Sequence, residues 1–219
     1  MSIEPVFLLR DKTYQEEIDY NFVKYALNHY ASPRNVLTKL LENGQLIRVK
    51  KGLYTFGSRY RKRLISLEVL ANLIYGPSYV SREYALQYHG MIPEAVYEIT
   101  SMSIKRYKQF DTPLGSFSYQ PINKNGFSVG VNLIRLSNYH SVLMASPEKA
   151  LADYVYTRED RLKSVDEMTR VLLEDYRIDE EKLIQLDRKL LEKISIQYNH
   201  VNIKLLELAV SDLKYARIN

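Results

Sequence analysis

Apolar positions recur every three to four residues between Val36 and Leu41. They place Val36, Leu37, Leu40 and Leu41 on one side of a helix and Arg34, Asn35, Thr38, Lys39 and Glu42 on the other. Ser32 stands where an N-cap belongs, Pro33 fits the first helical position, where its missing N–H costs nothing, and Gly44 ends the run. The period then shortens to two. Leu46 to Val49 and Leu53 to Phe56 read as strands joined by Lys50, Lys51 and Gly52, a hairpin with glycine in its turn. Ile47 and Val49 are expected on one face of the first strand and Tyr54 and Phe56 on one face of the second, with Arg48 and Lys50 pointing away. Upstream, Ile18, Phe22, Val23, Tyr25, Ala26 and Leu27 predict one amphipathic helix over Tyr14 to Tyr30, with Glu16, Glu17 and Asp19 in its first turns. Helix, short turn and basic hairpin follow the order of a winged helix-turn-helix, although only one helix is evident before Ser32 where that fold has two.

Past Gly57 the pattern is mixed. Leu64 to Tyr75 and Ser81 to Tyr88 are helical, closed by Gly76–Pro77 and by Gly90. Glu98 to Ile104, Tyr107 to Phe110, Ser116 to Tyr119, Val131 to Leu136 and Ser141 to Met144 read as strands, and Ser146, Pro147 and Glu148 start a helix to Tyr156. From Arg158 onward the pattern is helical without glycine or proline: a capping box at Ser164 and Glu167, a helix capped by Asp179 running through Leu191, and another from Val201 to Tyr215. The expected fold class is α+β. Residues 1–57 form a winged helix-turn-helix, 58–157 an α+β domain, and 158–219 a helical C-terminal extension packed on it.

Charge sharpens the picture of the first segment. Met1 to Arg63 carries twelve Lys/Arg and six Asp/Glu, Leu64 to Thr157 seven of each, and Arg158 to Asn219 twelve and thirteen, so the excess of +5 comes from the first segment. Nine basic residues and one acid, Glu42, lie between Ser32 and Arg63, the clustering that gives DNA-binding domains their phosphate affinity. The chain has no cysteine, which excludes disulfides, thiolate catalysis and cysteine-ligated zinc. Its apolar runs fall short of a membrane span and no basic region opens the N-terminus, so a cytoplasmic protein is expected. The four histidines are scattered, no metal ligand set is visible, and no phosphate loop, dinucleotide fingerprint or nucleophile elbow occurs. His89 reads as structural and Ser146 as a cap. No catalytic residue, cofactor or metal is expected.

Three runs carry a family resemblance: SYVSREYALQYHGMIPE (Ser78 to Glu94), FDTPLGSFSY (Phe110 to Tyr119) and ASPEKALADYVYTR (Ala145 to Arg158), following the wing LIRVKKGLYTF. Together they resemble the AbiEi-type antitoxins of type IV toxin-antitoxin (abortive infection, phage defence) systems. The resemblance implies a transcriptional autorepressor that binds double-stranded DNA at its own promoter, at inverted repeats. It also implies an antitoxin domain that counteracts a nucleotidyltransferase toxin without a stable complex. On that reading DNA is contacted by Arg34, Asn35, Thr38 and Lys39 of the helix and by Arg48, Lys50 and Lys51 of the wing. The alternative is a non-catalytic protein- or RNA-binding module built on a winged-helix scaffold.

Overall fold

The computed structural model describes residues 4–218. The chain opens with helix α1 (Pro5–Asp11), strand β1 (Glu17–Asp19), α2 (Tyr20–Ala26), α3 (Pro33–Glu42), β2 (Leu46–Lys50) and β3 (Leu53–Phe56). The three strands form an antiparallel sheet in the order β1-β3-β2, with Ile18 opposite Tyr54 and Ile47 opposite Thr55. Val6, Leu9, Ile18, Val23, Leu37, Leu40 and Phe56 close one apolar core between helices and sheet.

The single helix expected over Tyr14 to Tyr30 is instead a strand followed by a helix. Residues 17–19 gain more by pairing with β3 than by extending a helix. Asp19 then caps α2, its Oδ1 accepting from Phe22 N at 2.7 Å. The acids expected to favour a helix dipole have other partners. Glu16 is buried and accepts from Arg10 Nη1 at 2.8 Å and from Lys62 N at 3.1 Å, tying α1 to the chain that leaves the sheet. A second helix does precede Ser32: it is α1, begun by Pro5 at its first turn.

A 3-10 turn at Ser58–Tyr60 leads into α4 (Leu67–Ile74), β4 (Ser78–Val80), α5 (Arg82–Tyr88), β5 (Ile99–Ser103), β6 (Lys108–Thr112), β7 (Gly115–Pro121), β8 (Val131–Arg135), β9 (Ser141–Ala145) and α6 (Pro147–Tyr156). The six strands form one mixed sheet, β6-β7-β5-β4-β9-β8, in which β5 runs parallel to β7 and β4 to β9. Next come α7 (Val165–Arg170), a π-helical turn at Val171–Asp175, α8 (Glu180–Gln185), α9 (Arg188–Tyr198) and α10 (Val201–Ile218). The helix expected from Asp179 through Leu191 breaks at Asp187. Its carboxylate caps α9 at Lys189 N and Leu190 N, while its own N–H donates to Glu148 Oε1 at 2.8 Å. Leu183, Leu191, Ile194 and Leu206 join Met144, Leu151 and Tyr119 in a single core, so residues 158–218 complete the second unit's interior. Val49 and Leu53 of the first hairpin also belong to that core, which seats the hairpin on the larger unit.

At the centre of the larger core lies a polar knot. Lys149 and Asp153, both without exposed surface, sit one turn apart on α6 with Nζ and Oδ1 3.5 Å apart. Asp153 accepts from Ser81 Oγ at 2.6 Å, Tyr79 OH at 3.0 Å and Tyr198 OH, while Lys149 donates to Gly126 O and Tyr198 OH. Burial pushes the Tyr79 and Tyr198 hydroxyls well above the usual tyrosine range, with Asp153 adding to the rise, and lowers Lys149 despite its carboxylate partner. Among the described residues no helix is long and apolar enough to cross a membrane.

Candidate nucleic-acid interface

Helix α3 buries Leu37 and Leu40 against the first core, with Val36 and Leu41 half-buried beside them. Its opposite face leaves Arg34, Asn35, Thr38 and Lys39 exposed, as the spacing predicts. Ser32 occupies the N-cap position but its hydroxyl makes no capping bond, so Pro33 sets the helix start. Thr38 Oγ1 donates to Arg34 O at 3.1 Å, which commits its proton to the helix and leaves its lone pairs and methyl group facing out.

The hairpin departs from the expected alternation. The register slips between Arg48 and Lys50, a bulge that turns Val49 inward with Leu46 and leaves Ile47 only half-buried. The slip separates the three cations of the hairpin. Arg48 and Lys51 remain exposed, Lys51 beside Gly52, whose φ of +87° suits the turn. Lys50, expected to point away with Arg48, is half-buried and its ammonium donates to Ile74 O, the last carbonyl of α4. Burial lowers the Lys50 pKa, and the nearby charge of Lys105 lowers it further. This lysine anchors the hairpin to the second unit.

Arg34, Thr38, Arg48 and Lys51 line one open groove of about 760 Å³ between α3 and the β2–β3 hairpin, with Tyr20 and Tyr54 on its walls. Asn35 and Lys39 lie on the adjoining exposed face of the helix. Four of the seven predicted residues thus meet at one place, two flank it, and Lys50 does not take part. The groove joins guanidinium forks and an ammonium, suited to phosphate, to two rings and a hydroxyl acceptor.

The charge count hid one basic feature. Ile104 to Gln109 is exposed throughout and carries Lys105, Arg106 and Lys108 around Tyr107, with no acid between Glu98 and Asp111. Strand β6 lies beside β2, and Lys105 is close enough to Lys50 to perturb it, so this loop continues the basic surface of the hairpin. The run of cations was visible in the sequence; its neighbour was not. Lys105 also donates to Gly76 O and lies 5.0 Å from the Tyr75 ring centroid, which fixes the loop.

Two side chains able to do chemistry elsewhere, His89 and Ser146, are occupied. His89 Nε2 is 2.8 Å from Ala145 O and so carries the ring proton, and Ser146 Oγ caps α6 by accepting from Lys149 N at 3.3 Å. No group of three metal-binding side chains is found among the described residues. No family model and no curated protein matches the chain.

Proposed function

We propose that the chain is a DNA-binding transcriptional autorepressor and the antitoxin of a type IV toxin-antitoxin system. The groove carries this reading: an exposed helix face and a wing bring Arg34, Thr38, Arg48 and Lys51 together, with Asn35 and Lys39 alongside. The order α1-β1-α2-α3-β2-β3, with β1 beside β3, fits a winged helix-turn-helix and supports assigning α3 to the major groove and the hairpin to the backbone. The cytoplasm is the compartment where such a protein meets double-stranded DNA. The antitoxin half rests on the three runs that resemble AbiEi-type proteins; on that reading the larger unit counteracts a nucleotidyltransferase toxin without a lasting complex and without catalysis.

Two assays separate the halves. A chain carrying Arg34→Ala, Asn35→Ala and Arg48→Ala should lose repression of a reporter driven by its own upstream DNA, yet still restore growth when expressed beside the toxin. If that variant represses like wild type, the groove is not the DNA surface. If it loses growth rescue together with repression, the larger unit has no antitoxin action of its own.

A further inference from the structure

The seam between the two units holds a second cleft, of about 690 Å³, that the DNA reading leaves unused. From the first unit it is walled by Glu17, Asp19 and Phe22, and from the second by Leu73, Tyr139 and His140. Glu17 retains 8% of its surface, and its Oε1 has no hydrogen-bond partner. The closest cationic candidate, His140 Nε2, stands 4.0 Å away, beyond hydrogen-bond reach. Burial pushes the Glu17 carboxyl above its usual range, against the opposing pull of its own backbone N–H and of the His140 and Arg10 charges. Arg63 also borders the cleft but is spent elsewhere: Nη1 donates to Tyr14 O at 2.8 Å and the guanidinium lies 3.3 Å from the Tyr139 ring centroid. Asp19 adds a second carboxylate at the rim, where Oδ1 caps α2. Phe22, Leu73 and the ring of Tyr139 supply apolar surface around these acids.

A buried acceptor without a donor, a second acid at the rim, and aromatic walls define what fits. We propose that this cleft binds a small organic cation with a flat apolar body, its charged end directed at Glu17 and its body between Phe22 and Tyr139. Such a ligand touches both units at once and is placed to act as an effector. That effector role rests on the function proposed above; binding itself does not.

Benzamidine is a suitable probe, and benzamide, its neutral isostere, the control. Calorimetric titration of the full chain without DNA should give saturable one-to-one binding of benzamidine, at least tenfold tighter than benzamide. Glu17→Gln should remove most of that preference. Leu73→Trp, at a half-exposed wall position that fills the cleft without touching the core, should block binding while circular dichroism stays native. No saturable binding, equal affinity for the two compounds, or unchanged binding in Leu73→Trp overturns the proposal, whether or not Glu17→Gln folds. A failed titration removes the cleft alone, and a failed DNA shift removes the DNA reading alone.

Discussion

Asp153 is heavily committed, with three hydroxyl donors and one ammonium converging on its two oxygens. Replacing it with alanine leaves the buried Lys149 charge without its counter-ion and three hydroxyls without their acceptor, and breaking a buried pair from one side costs about 3–5 kcal/mol. Asp153→Ala should therefore lose at least that much in urea unfolding, whereas Lys149→Met, which leaves Asp153 its three hydroxyl donors, should lose less. Equal losses would mean that the ion pair, not the hydroxyl cluster, holds the knot. Glu17 gives the opposite kind of prediction. Its folded pKa is raised by burial, so the neutral carboxyl is favoured in the fold; the stability this contributes is full below the unfolded value and is lost as pH rises through the folded one. At neutral pH the charged Glu17 is a cost that glutamine avoids. Glu17→Gln should melt at or above wild type at pH 7, with the advantage shrinking as pH falls through the carboxylate range; a lower melting temperature at pH 7 would show that the charge is already satisfied.

Within the elements, the proposed DNA contact divides reading by α3 from anchoring by the β2–β3 hairpin. Arg34 and Asn35 on α3 can reach base edges, whereas Lys51 at the turn can meet only the backbone or minor groove. Asn35→Ala should narrow the gap between operator and random DNA by ~1–3 kcal/mol in a competition shift, and Lys51→Ala should weaken both about equally. The reverse pattern would exchange the roles of helix and wing. Lys50→Ala should leave specificity unchanged, since its ammonium is held by Ile74 O. Much of this was legible in the sequence because it depends on local spacing: Pro33 and the exposed face of α3, the hairpin around Gly52, the cap at Ser146. What was hidden depends on partners distant along the chain. Residues 17–19 look helical until β3 is placed beside them. The bulge that turns Lys50 inward answers to Val49 and Leu53 reaching the second core. Asp187 ends one helix and starts another because Glu148, far upstream, takes its N–H.

For the whole molecule the decisive quantity is where the positive charge lies once the chain is folded. Segment counts assign all the excess to the first 63 residues and make the middle segment neutral. Folding separates that neutral segment's own charges, bringing Lys105, Arg106 and Lys108 beside the wing. The basic surface therefore crosses the seam between units. Replacing these three with alanine should weaken operator and random DNA alike and flatten the salt slope by about two to three, roughly one for each phosphate that is no longer neutralised. An unchanged slope would confine the DNA surface to α3 and the wing. The most direct test of the central claim is fluorescence anisotropy of the full chain on the DNA upstream of its own gene, measured across a salt series with random duplex as competitor. We expect tighter binding to the upstream DNA and a fall in log affinity with log salt of roughly −4 to −5, the slope of about five neutralised phosphates. Absence of binding at low salt, or affinity that salt does not change, would contradict it.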